Sequence, residues 1–429
     1  MKRPIKPSSA PPPTEQEAAL PPLPKLRITL YAVVLLCGLL SGFLFGRVTA
    51  PRSSRPGTPP RHDGATPARS GPWGELERTP ITIAAPAESL PIQSLEAGGT
   101  MRWFFKYMTP SGMARLMETL SVPASLREQL LNPAIVSTVT NGLVITPPCD
   151  LLFSLGAEAR TPLYRLLAAF PETEAEIFYF PSVYLEEKLR DSGLSPETLS
   201  RFKKLSCTDR DFVVFTGLPC LLPTIPTYEE KVRLVKVLTR QQTMLLRLHV
   251  TSDSDINALA AYWGKACWTT DVKAILESLG RVPGGAYIDV IELLPPLPTS
   301  LLYTFPIPEN PLNGPLPTRD CHWTSFNFFR EPPDDRYSDP AYVHDRLKLD
   351  YYPAISDPRF GDVVTFSKPN GDIIHSAVFI ADGIVFTKNG YTPLHPWILS
   401  TVAALQAEYS FQFAPGQTLK VDYFRNKYY

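Results

Sequence analysis

A chain of 429 residues carries 42 basic and 42 acidic side chains, so it has no net charge with which to hold nucleic acid, and no nucleic-acid partner is expected. Forty-seven prolines, about twice the average share, crowd the N-terminal arm, the stretch after it and the joints of the C-terminal half. Cys37, Cys149, Cys207, Cys220, Cys267 and Cys321 include no CxxC pair, which excludes the usual zinc spacings. With no phosphate loop or nucleotide fingerprint either, neither a metal nor another cofactor is expected. His249 has no second ligand near it in the chain.

Residues 1–27 are polar and proline-rich and cannot bury a core, so they read as a disordered arm. Residues 28–46 then run without a charge, which at the helical rise spans roughly the 30 Å hydrocarbon core of a bilayer. A single-pass transmembrane helix is expected there. A cleaved signal fits less well, because the arm is long and no small-x-small site follows. Gly38, Gly42 and Gly46 share one face of that helix, a spacing that suits a homodimer. Basic residues flank both ends. Arg47, Arg52, Arg55 and Arg61 favour a cytoplasmic C-terminal part by the positive-inside rule, whereas a short arm before a single anchor favours an extracytoplasmic one, which is the placement expected.

Residues 47–99 read as a proline-rich linker. Residues 100–306 read as a mainly helical domain, with apolar residues at three and four spacing over 112–120, 126–131, 157–169, 184–192, 198–204, 229–248, 255–263 and 272–279. No repeat of fixed period is visible. Setting Cys37 aside leaves five cysteines, so at least one is a free thiol if the disulfides are internal. Residues 307–429 form the last unit, and the overall class is α+β.

The chemistry gathers in that last unit. Thr318-Arg319-Asp320 supplies capping side chains before Cys321, and 321–329 can run as an aromatic helix beneath a sheet. Cys321 would sit in its first turn, where backbone N–H groups lower a thiol's pKa. Residues 362–366, 372–380 and 384–388 alternate as strands, joined at Asn370-Gly371 and Asp382-Gly383. His375, Ala377, Phe379 and Ala381 share one face, and the small neighbours leave room for an incoming helix. A three-residue loop at 381–383 sets Asn389 opposite His375, and a two-residue loop sets Gly390 there instead. Asn389 is therefore the candidate for orienting the imidazole, with Thr387 the runner-up.

Asp-Cys with an aromatic helix, the Gly361-Asp362-Val363-Val364-Thr365-Phe366 strand, a histidine on the next strand and an Asp-Gly hairpin resemble the NlpC-type papain-like cysteine hydrolases over residues 318–410. The resemblance implies a helix packed on an antiparallel sheet, with Cys321 as nucleophile, His375 as general base and Asn389 as the orienting group. It implies hydrolysis of amide bonds, with a peptide or peptidoglycan-like substrate, in a membrane-anchored enzyme. His322 and Trp323 stand where the family tends to have serine and glycine, and Thr387 where many members have a third histidine. These three are candidates for contacting substrate. The alternative is an inactive papain-like domain that binds a peptide or a partner protein.

Overall fold

The computed structural model describes residues 70–90, 92, 101–168, 177–265, 269–306, 319–355, 357–390, 394–410 and 419–428. Ser70–Gly71 (β1) and Gly74–Ile83 (β2) come first. Trp103–Lys106 (β3), Val136–Val139 (β4) and Gly142–Ile145 (β5) make a three-stranded sheet in the order β3-β5-β4. Phe178–Pro181 (β6), Ser206–Asp209 (β7) and Phe212–Phe215 (β8) make a second, in the order β6-β8-β7. Gln241–Val250 (β9) and Ala286–Asp289 (β10) then return to β2, giving a sheet β1-β2-β9-β10.

The two three-stranded sheets belong to a structural repeat. Each copy runs strand, two helices, a hairpin with a two-residue turn, then a short helix. The helices are Pro110–Thr119, Ala124–Leu130 and Cys149–Ser154 in the first copy, and Leu185–Arg190, Pro196–Leu205 and Leu218–Leu221 in the second. Cys149 and Cys220, at equivalent places in the two copies, form a disulfide with Cα atoms 5.4 Å apart. One apolar core, including Trp103, Phe105, Leu143, Phe202 and Phe215, joins both copies.

The region 100–306 is therefore mixed, its helices standing among the strands β3 to β10, and the mainly helical expectation is corrected to that extent. Periodicity over 229–248 merges a helix, Tyr228–Thr239, with the strand β9 that follows it. Residues 74–83, expected within the linker, pair with β9 along their whole length. Pro80 is tolerated because β1 reaches only Glu75, leaving the rest of β2 as an edge. The expected membrane helix at 28–46 and its Gly38, Gly42, Gly46 contact lie outside the described residues. Among the described residues no helix is long and apolar enough to cross a membrane, so the structure does not support the single-pass membrane reading or the extracytoplasmic placement built on it.

The last sheet has six strands. Tyr351–Pro353 (β11), Val363–Ser367 (β12), Ile373–Ala381 (β13), Ile384–Lys388 (β14), Trp397–Thr401 (β15) and Lys420–Asn426 (β16) pair antiparallel in the order β11-β16-β12-β13-β14-β15. Helix Cys321–Phe326 packs on one face and helix Val402–Ser410 on the other, so this part is a helix on an antiparallel sheet, as expected. The edge strand β15 is covered from β9: the Thr243 hydroxyl donates to Leu399 O at 2.8 Å and accepts from Leu399 N at 3.1 Å. Leu246, Leu248 and Trp263 share an apolar cluster with Val378, Phe386 and Leu399.

Candidate active site

Cys321 begins a helix because Asp320 caps it, its carboxylate accepting the Trp323 N–H at 2.9 Å. The helix ends at Phe326 rather than at 329, and all of its residues are buried. It lies across three strands. Ser376 Oγ on β13 donates to Cys321 O at 3.1 Å, and Trp397 Nε1 on β15 donates to Thr324 Oγ1 at 2.9 Å. Between them, Lys388 on β14 is paired with Trp397. Val378 faces Phe386, so the period of two brings Lys388 opposite Ser376 on the same face. Ser376, Lys388 and Trp397 form a row beneath the helix.

The ladder between β13 and β14 ends at Val378 and Phe386, and the site fills the opening. Ser376 O accepts the Thr387 hydroxyl at 3.1 Å. The Ser376 and His322 N–H groups lie close enough to the Cys321 sulfur to favour its thiolate. Burial outweighs them: desolvation, with the Asp320 carboxylate adding to it, pushes the thiol up to about 12 against the two N–H groups and the Lys388 ammonium. The expected lowering by the helix's first turn is thus reversed by the loss of water around the sulfur.

His375 points to the opposite face of β13. Its ring is fully buried, and it stacks on Tyr409 with centroids 4.4 Å apart, beside Phe366. Nε2 lies 3.0 Å from Thr387 Oγ1. The single hydrogen of that hydroxyl goes to Ser376 O, which can only accept, so toward the imidazole Thr387 accepts from Nε2–H. The lone pair of the neutral ring then sits on Nδ1, a buried atom with no hydrogen-bond partner among the described residues. Burial, and to a lesser degree the neighbouring His322, holds the imidazole well below its ordinary range. No hydrogen bond joins the Cys321 sulfur to His375 among the described residues, and at rest both groups are neutral.

Ser376 Oγ gives its hydrogen to Cys321 O, so it accepts from His322 Nδ1–H at 2.9 Å. His322 is thereby held beside Cys321, and burial lowers its pKa. Trp323 is fully buried and bonds Asp335 Oδ1 at 2.9 Å, the position of a core side chain.

The hairpin combines the two loop alternatives. Ala381 pairs with Ile384 across a two-residue turn, and a bulge at Ile380 then shifts the register, so that Phe379 faces Val385. Continued by the same period, this sets Asn389 opposite His375 after all. Asn389 nevertheless turns to the Val402–Ser410 helix. Its Oδ1 accepts the Tyr409 hydroxyl at 2.9 Å, and its Nδ2 donates to Glu408 Oε2 at 2.8 Å. The group on the imidazole is the runner-up, Thr387, reached diagonally across the strands. Sequence reasoning missed Lys388, Ser376 and Tyr409. Lys388 had a signal: a lysine completing the buried alternation Ile384, Phe386.

No family model matches the chain, and no curated protein or solved structure matches it.

Proposed function

We propose that this chain is a cysteine hydrolase that cleaves amide bonds with Cys321 as nucleophile, His375 as general base and Thr387 as the group that orients the base. One juxtaposition supports the reading. The sulfur lies beside the N–H of Ser376, the residue after His375, whose Nδ1 lone pair is fixed by Thr387 and has no hydrogen-bond partner among the described residues. In the reaction Cys321, in the ladder opening, gives its S–H proton to Nδ1 of His375, on the other face of β13, once substrate binding has brought the two within reach, and the thiolate attacks the carbonyl carbon. The imidazolium protonates the leaving amine, and water activated by the same nitrogen hydrolyses the thioester. Because both partners are neutral at rest, the charge pair forms only as substrate binds. Peptides, cell-wall stem peptides first among them, are the substrates to try, on the strength of the sequence resemblance.

The test is site-resolved labelling with a thiol-directed probe, since Cys207 is also a free thiol. Labelling at Cys321 in the wild type, its loss in Cys321→Ala and the disappearance of amide hydrolysis with it are expected. Hydrolysis that survives Cys321→Ala overturns the assignment. The burial of both groups favours a second reading, an inactive papain-like binding domain. That reading requires a peptide ligand whose affinity is unchanged in Cys321→Ala and that is never cleaved by the wild type.

A further inference from the structure

The helix Val402–Ser410 buries Leu405 and Tyr409, four residues apart and so on one face. That face packs on the side of β13 that carries His375, Ala377 and Phe379. The small Ala377 side chain leaves room for the Tyr409 ring, which lies over the imidazole with centroids 4.4 Å apart and planes at 24°. Phe366, paired with His375 across β12 and β13, stands to the side, 5.6 Å from the imidazole and 6.5 Å from Tyr409. The Tyr409 hydroxyl is tied down as well. It donates to Asn389 Oδ1 at 2.9 Å, and Asn389 Nδ2 donates to Glu408 Oε2 at 2.8 Å. A tyrosine that only filled the core could equally meet the imidazole edge-on. His375, in turn, has one hydrogen bond among the described residues, from Nε2 to Thr387. That bond places one nitrogen and sets the tautomer, but it leaves the tilt of the ring free. A base whose Nδ1 must point one way needs a second support.

We infer that Tyr409 is a positioning residue for the proposed reaction: its ring, held by Asn389, is the shelf that fixes the plane of the His375 imidazole and carries the imidazolium once Nδ1 is protonated. The inference rests on the hydrolase reading above. In that step the S–H bond of Cys321 breaks, its electron pair stays on sulfur and the proton bonds to the Nδ1 lone pair. The positive charge then spreads over a ring already lying on an aromatic face, whose negative potential attracts a cation. Tyr409 keeps its own proton, on Asn389, throughout. The other titratable groups around this stack are His322, Cys321 and Asp320 from the helix on the far side of the sheet, Glu408 from the same helix as Tyr409, and Tyr179 from β6. Asn389 thereby gains a part in the site: it acts on the base through Tyr409 instead of by contact.

The experiment reads the ring nitrogens of His375 by NMR at neutral pH, in the full chain with isotope-labelled histidine, the signals being assigned by their loss in His375→Gln. In the wild type the hydrogen is expected on Nε2 and the lone pair on Nδ1. Tyr409→Leu removes the aromatic face and keeps an apolar side chain. It is expected to draw the two nitrogen shifts toward each other as the ring tilts away from Thr387. It is also expected to slow Cys321-dependent cleavage of a peptidyl coumarylamide about tenfold. Tyr409→Phe, which keeps the face, is expected to retain the wild-type shifts and most of the turnover. If Tyr409→Leu does not fold, Tyr409→Met is read the same way. A tyrosine with a merely structural role would lower the melting temperature in the leucine variant and leave shifts and turnover where they are. That result overturns the inference and leaves the hydrolase reading standing. Shifts that respond as expected in a chain that cleaves no amide overturn the hydrolase reading, but not the hold of Tyr409 on the ring. A hydrogen found on Nδ1 in the wild type overturns both.

Discussion

Thr387 has one hydrogen and uses it on a carbonyl, and this decides which nitrogen of His375 carries the lone pair. Thr387→Val removes both hydrogen bonds and leaves the tautomer unassigned, so Cys321-dependent turnover is expected to fall by about 10²-fold or more, while Thr387→Ser keeps most of it. Equal turnover in the valine and serine variants would remove Thr387 from the machinery. Asn389→Ala acts differently, because it strands the Tyr409 hydroxyl and deprives Glu408 of its donor. A stability loss of about 1–3 kcal/mol for each stranded group is the expected scale, measured by urea unfolding. The buried histidines also set the behaviour in acid. His395 is lowered to about 3 from 6.5, His375 lies well below its ordinary value, and His322 is lowered as well. As pH falls through 6.5 the unfolded chain takes up protons that the folded chain refuses, so stability must fall with it. The slope is about 1.4 kcal/mol per pH unit for each such histidine. Urea midpoints at pH 7.5 and 5 check this, and equal midpoints would contradict it.

The Cys321–Phe326 helix is held at its start by Asp320 and just beyond its end by the packing of Phe329. Asp320→Ala is expected to cost about 1 kcal/mol by loss of the cap, read by thermal melting. Gly361→Ala is the harsher change. Gly361 has φ +87°, and a Cβ there would collide with the Phe329 ring, so a large drop in melting temperature is expected and a wild-type value would refute the packing. Much at this scale was legible. Asn370-Gly371 and Asp382-Gly383 announce hairpins through backbone geometry that these residues favour locally, and the Asp320 cap follows from one side chain and one N–H. The bulge at Ile380 was not legible, because an apolar run looks the same with or without it, yet it decides which residue lies opposite His375. Nor was the strand β9, whose partner β2 lies more than a hundred residues earlier. Local periodicity carries no record of that pairing. Thr387 displaced Asn389 because Tyr409 and Glu408, from the Val402–Ser410 helix, compete for the amide.

In the whole molecule the six-stranded sheet is not free-standing. A fragment of 307–429 loses Thr243 from Leu399 and the apolar partners Leu246, Leu248 and Trp263. It is expected to aggregate or bind a hydrophobic dye, whereas the full chain does not; a soluble, cooperatively melting fragment would show otherwise. Reducing the Cys149–Cys220 bridge, which spans 71 residues, is expected to destabilise the repeat by up to about 4 kcal/mol through restored freedom of the unfolded chain. Urea unfolding of Cys149→Ser/Cys220→Ser measures it. The repeat itself escaped sequence reading because its copies share topology and a Pro-Cys pair but few side chains. Its bridge joins the Pro-Cys pair of one copy to that of the other, as a single disulfide across a two-fold axis joins a position to its own counterpart. The twin unit thus behaves as a cross-linked pair carried on a single thread, and its assembly is independent of protein concentration.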